Sequence, residues 1–216
     1  MSELGFWKLA TAHPERTALV TPAGRRITAW ACRNFLRAAF CPVRIVGREI
    51  LDQMRKGGLW PCVIASNHTS YLDVIAMIAY LPVDCLYSAK QEILDYPLLG
   101  MITRKMGQLG FDRSDPRARV RQAEQIEQAL REGLSTVVFP EGTFTPAPGV
   151  RPFQLGAFKA AAAAGRPVVP MAVRGAREIW RDHTLLPYPC RVTLTFCPPI
   201  EPEGSDWKQI VRLRDA

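Results

Sequence analysis

The stretch DPRARVRQAEQIEQALREGLSTVVF, residues 115–139, decides the fold class. Asp115 has the side chain of a helix cap, Pro116 suits a first helical position, and Gly133 is the residue type that follows a helix end. A helix from Pro116 to just before Gly133 is therefore expected, then a strand over 136–139. Downstream the same alternation repeats. Residues 153–164 read as an alanine-rich helix closed by Gly165, residues 167–173 as an apolar strand buried on both faces, and residues 191–196 as an alternating strand. Upstream, 63–65, 85–87 and 108–111 read as short strands, with helices over 71–80 and 92–106. Strands separated by helices predict an α/β fold: a mostly parallel mixed sheet flanked by helices, joined by right-handed crossovers.

The chain has 216 residues, 48% of them hydrophobic, and a formal net charge of +8. That is enough length to bury a core and too much apolar content for a disordered chain. The longest uncharged apolar stretch, residues 74–83, has about half the ~20 residues a membrane span requires. The first residues show no basic region followed by an apolar core, so a cytoplasmic location is expected. Six cysteines occur without a Cys-x-x-Cys pair or histidines at zinc-ligand spacing, and no metal or cofactor is expected.

Most of the positive charge lies early. Between Arg25 and Lys56 stand eight basic residues and only two acidic ones, Glu49 and Asp52. Thr28 is expected to cap a helix running to about Cys41, with Trp30, Phe35, Leu36 and Phe40 beside Arg33 and Arg37. Such a segment can be a packed helix with a solvated basic face, or it can lie on an anionic membrane surface. No motif for nucleic-acid recognition accompanies the charge, and no nucleic-acid partner is expected.

In sheets of this kind the ligand crevice lies beyond the carboxyl ends of the strands. Three loops qualify. In Asn67-His68-Thr69-Ser70-Tyr71-Leu72-Asp73, a cap at Ser70 puts Asp73 at the third helical position, facing back toward His68. The pattern fits either a plain capping box or a His–Asp pair in which the carboxylate fixes the tautomer and the other ring nitrogen accepts a proton. Arg113, just before the helix start, suits a phosphate or a surface ion pair. Glu141 and Gly142, after the strand ending at Phe139, suit either a ligand-contacting loop or a solvated turn.

Taken in order, Asn67 to Asp73, Phe111-Asp112-Arg113, Phe139-Pro140-Glu141-Gly142-Thr143 and Val168 to Val173 resemble the four-block signature of the glycerolipid acyltransferases, 1-acylglycerol-3-phosphate acyltransferases especially. The resemblance covers roughly residues 42–199. It implies a glycerol-3-phosphate acyltransferase-like fold and acyl transfer from acyl-CoA or acyl carrier protein to a lysophospholipid hydroxyl, in phospholipid biosynthesis at the cytoplasmic face of a membrane. His68 is then the general base, Asp73 orients it, Arg113 holds the acceptor's phosphate, and Glu141, Gly142 and Thr143 shape the acceptor site. Family members often carry Arg after Glu-Gly-Thr; here the residue is Phe144, and Arg151 is the candidate to replace the lost charge. With the suspected substrates resident in membranes, the basic segment is read as docking to an anionic bilayer.

The opening residues, Phe6 to Ala10, His13 to Val20 and Gly24 to Thr28, resemble the start of an adenylate-forming acyl-CoA synthetase without its nucleotide-binding motifs. This implies an N-terminal appendage, 1–29, before an acyltransferase domain, 30–216. The competing expectation is a lipid-binding or partner module that keeps the fold without catalysis, or an acyltransferase for a different lipid acceptor.

Overall fold

The structure, a computed structural model, describes residues 22–81, 85–90, 109–111, 116–142, 149–179 and 188–216. The elements run α1 (Pro22–Ala38), β1 (Val43–Val46), α2 (Arg48–Lys56), β2 (Val63–Ser66), α3 (Tyr71–Tyr80), β3 (Cys85–Lys90), β4 (Leu109–Phe111), α4 (Pro116–Arg131), β5 (Ser135–Val138), α5 (Gly156–Ala163), β6 (Val168–Arg174), α6 (Ala176–Ile179), β7 (Val192–Phe196) and α7 (Trp207–Asp215). Helix α4 starts at Pro116 and ends before Gly133, which takes the left-handed φ of 88° that its lack of a Cβ allows. The helix expected over 92–106 lies outside the described residues.

The strands form one sheet in the order β1-β7-β6-β2-β5-β3-β4. Strands β6, β2, β5, β3 and β4 are parallel, whereas β7 pairs antiparallel with β6 and β1 pairs parallel with β7. The sheet is thus mixed, with its antiparallel part at one edge. Alternate residues serve two cores. Ile64, Met171, Val173, Leu194 and Phe196 face α1, α2 and α3, which contribute Leu36, Met54, Leu72 and Met77. Val63, Ala65, Val138 and Val168 face α4, α5 and α7, with Ile126, Leu130, Phe158 and Leu213 among the contacts. Each of these Val, Leu, Ile, Met and Phe side chains contributes about 1.5–3 kcal/mol when fully buried, so the two layers hold the central strands from both sides.

The first helix differs from the expectation. It begins at Pro22, and Thr28 sits inside it, donating from Oγ1 to the Gly24 carbonyl at 3.0 Å rather than capping. It ends at Ala38, where Phe40 turns to a φ of 52° and the Cys41 N–H reaches the Leu36 carbonyl at 2.8 Å. The boundary expected between residues 29 and 30 falls within this helix, and Gly24, Arg25 and Ala29 on it are buried. Residues 1–21 lie outside the described residues. Helix α1 packs along α3. Arg33, expected on the basic face, instead donates from Nη1 to the Ala79 carbonyl at 2.7 Å, where the carbonyls of the last turn of α3 lack helical partners. None of the described helices is long and apolar enough to cross a membrane.

Candidate active site

Strands β2 and β5 end side by side, β6 runs on past the end of β2, and the segments that leave β2 and β5 meet there. After β2 the chain turns through Asn67, His68 and Thr69 into α3, capped by Ser70, whose Oγ accepts from the Leu72 N–H at 3.3 Å. Asp73 is fully buried, and its carboxylate is surrounded by donors. Oδ2 accepts from the Thr69 N–H at 2.6 Å and the Ser70 N–H at 2.9 Å, and Oδ1 accepts from the Thr69 hydroxyl at 3.1 Å. His68 Nδ1 lies 3.1 Å from Oδ2. A buried carboxylate without such partners would be strongly disfavoured; here the first turn of the helix supplies them, and its dipole has the favourable sign.

The capping box and the His–Asp pair, alternatives in the sequence, are one arrangement. An oxygen already accepting two backbone N–H groups has no proton to give, so Nδ1 carries the hydrogen and Nε2 is the basic nitrogen of the neutral ring. The ring is buried and stacks on Phe139 with centroids 4.0 Å apart and planes at 18°. Phe139 directly follows β5, so the strand end sets the plane in which the imidazole lies.

Glu141 is also buried, and its carboxylate joins two loops. Oε1 accepts from the His68 N–H at 3.1 Å and Oε2 from the Arg151 N–H at 2.9 Å. The turn that contains it closes by the Gly142 N–H donating to the Phe139 carbonyl at 3.0 Å, with Gly142 at a φ of 80°. Glu141 is thus a positioning residue for the His68 backbone, a role its place in the sequence did not announce. Arg151 meets it through its backbone, and its side chain is exposed. Arg113 and Thr143, like Phe144, lie outside the described residues.

Sequence reasoning gave no role to Asn67 or Phe139. Asn67 clasps the end of β6: its Nδ2 donates to the Val173 carbonyl at 3.0 Å, and its Oδ1 accepts from the Val173 N–H at 2.7 Å. The clasp fixes the residue before His68 to the neighbouring strand. A polar amide directly after a buried strand was the available signal for it. What the arrangement can do chemically is hold a neutral imidazole in one tautomer and one plane, ready to take a proton and then to be stabilised as imidazolium by the carboxylate behind it.

Comparison with known proteins gives concordant results. A family model described as Acyltransferase matches residues 42–174. A 1-acyl-sn-glycerol-3-phosphate acyltransferase of Cocos nucifera is 31% identical over 169 residues, covering 78% of this chain and 52% of that protein. One of Pseudomonas aeruginosa is 30% identical over 207 residues, covering 85% of this chain and 79% of that protein. Several of the curated relatives are longer, and the chain spans about half their length. The crystal structure of the 1-acyl-sn-glycerophosphate acyltransferase PlsC from Thermotoga maritima has the same fold, with a TM-score of 0.73 at 19% identity, over 98% of this chain and 90% of that one.

Proposed function

Because the chain belongs to the acyltransferase family, we propose that it moves a fatty acyl group from an acyl thioester to the free hydroxyl of a lysophospholipid, with 1-acylglycerol-3-phosphate as the acceptor. The observation that carries the proposal is the His68–Asp73 pair, held at 3.1 Å on a carboxylate with no capacity to donate. His68 Nε2 removes the acceptor's hydroxyl proton as its oxygen attacks the thioester carbonyl carbon. Collapse of the tetrahedral intermediate breaks the carbon–sulfur bond, and the departing thiolate takes the proton back from the imidazolium. The products are an ester and a free thiol, and no acyl-enzyme forms. Proton transfer by a positioned base typically supplies 10²–10⁴-fold in rate.

The relatives' names support the choice of acceptor, and by the resemblance in motif order Arg113 is the residue to hold its phosphate, with Glu141, Gly142 and Thr143 shaping the acceptor site. The acyl donor is acyl-CoA or acyl carrier protein. We place the reaction at an anionic membrane surface, at its cytoplasmic face, and α1 supports the membrane contact. Its Ala29 and Leu36 are buried, while Ile27, Trp30 and Phe35 are 62%, 62% and 41% exposed and Phe40 just after it is 75% exposed, with Arg26 and Arg37 exposed among them. Exposed aromatics interleaved with arginines are the composition of an interfacial helix.

The experiment is an acyl-transfer assay with acyl-CoA and lysophosphatidic acid, following both phosphatidic acid and free CoA. Equal formation of the two is expected. Lipid binding with no thioester consumed would assign the chain to a non-catalytic lipid-binding role.

A further inference from the structure

Strands β1, β7 and β6 leave part of one sheet face open. On it the register sets Arg44 of β1 beside Thr193 of β7, and the same Thr193 beside Arg174 of β6. The neighbouring row is Val46, Thr195 and Ala172. Both arginines are exposed and both threonines half-buried, whereas Ile45, Leu194 and Val173 between them turn to the core on the opposite face. No Asp or Glu occurs in any of the three strands. Among the described residues neither arginine takes part in an ion pair.

The row is level with the candidate active site. Arg174 follows Val173, the residue clasped by Asn67, and Asn67 precedes His68. At roughly 4.8 Å per strand, Arg174 is one strand spacing from β2 and Arg44 is three, about 14 Å away, with about 10 Å between the two arginines. From these observations we infer that the Arg44–Thr193–Arg174 row binds the phosphates at the nucleotide end of acyl-CoA. The inference rests on the acyltransferase reading and names the donor for the same site.

A thioester carbonyl placed at His68 puts the phosphates of coenzyme A at the far end of its pantetheine arm, so the cations that meet them must lie away from the base. Guanidinium groups take phosphate oxygens in pairs, and a threonine hydroxyl between them adds a neutral donor. Two cations on separate strands suit a ligand carrying a diphosphate and a further phosphate. A membrane surface is a poorer match, because Val46 is the sole large exposed hydrophobic residue on the three strands. Both arginines are exposed and screened by salt, so they act on donor affinity and leave the chemical step alone.

The test compares wild type with the Arg44→Gln/Arg174→Gln double variant, using the full chain with lysophosphatidic acid and three donors: acyl-CoA, acyl carrier protein, and acyl-pantetheine, which lacks the nucleotide and its phosphates. The expected result is a rise in KM for acyl-CoA of roughly tenfold, with kcat and the acyl-pantetheine kinetics unchanged. The wild-type KM for acyl-CoA should also rise with ionic strength, and the variant's should rise much less. An unchanged acyl-CoA KM, or an equal penalty on acyl-CoA and acyl-pantetheine, overturns the inference. Selective loss of transfer from acyl carrier protein with acyl-CoA unaffected overturns it as well, and assigns the row to an acidic protein. Absence of transfer by the wild-type chain from any donor is the different result, in which the acyltransferase reading itself fails.

Discussion

His68 Nδ1 and Asp73 Oδ2 stand 3.1 Å apart, and that same oxygen accepts the Ser70 N–H that begins helix α3. One carboxylate therefore both caps the helix and orients the base. Asp73→Asn separates these roles from a general loss of fold only in degree: an amide cannot accept on both former oxygens. We expect kcat to fall on the order of 10²–10⁴-fold, as the ring loses its fixed tautomer, and stability to fall by about 1–3 kcal/mol. Steady-state kinetics and thermal unfolding on the same preparation check both parts.

Glu141→Gln should behave differently. Its two oxygens accept from the His68 and Arg151 backbones, and a glutamine would face one of those N–H groups with its own NH2. A loss of about 1–3 kcal/mol is expected, together with a lower kcat because the His68 backbone is released. A variant with wild-type kcat would show that the strut does not position the base.

Helix α1 gives a prediction about lipid surfaces. Replacing Trp30 and Phe40, 62% and 75% exposed, with alanine removes interfacial anchors without touching the buried Ala29 and Leu36. Binding to anionic phosphatidylglycerol vesicles, measured by sedimentation, should weaken at least tenfold while thermal stability stays within about 0.5 kcal/mol. Retained binding would place the membrane contact elsewhere.

Cys62 and Cys197 should differ sharply in reactivity. Burial pushes the Cys62 thiol up to about 12, against a partial lowering from its contact with Ser135, whereas Cys197 is exposed. Since the thiolate is the reactive form, a disulfide reagent at pH 8 should label Cys197 quickly and Cys62 only after unfolding. The same shift has a sign for stability. Between pH 9 and about 12 the unfolded thiol has lost its proton while the folded one keeps it, so the contribution of Cys62 declines as pH rises through that window. Denaturant unfolding at pH 8 and 10 should show the decline, and Cys62→Ala should reduce it.

The sequence makes legible what is set locally. Pro116 and Gly133 bound α4 by chain chemistry alone, and the Ser70-x-x-Asp73 spacing already made a His68–Asp73 pair possible beside the plain capping box. Contacts made at long range stayed hidden. Strand β1 is four residues long, and its pairing partner Val192–Phe196 lies far along the chain. The same holds for the Asn67 clasp on Val173, 106 residues away, and for Glu141 on the His68 backbone, 73 residues away. Thr28 misled because threonine serves as a cap or bonds back to the carbonyl four residues earlier, and Pro22 had already supplied the helix start.

The central claim is that His68 is the base, and turnover of His68→Ala with acyl-CoA and lysophosphatidic acid tests it most directly. The account predicts a fall in kcat on the order of 10²–10⁴-fold in a protein that still unfolds in one cooperative transition. Turnover within a fewfold of wild type in that folded variant would contradict it.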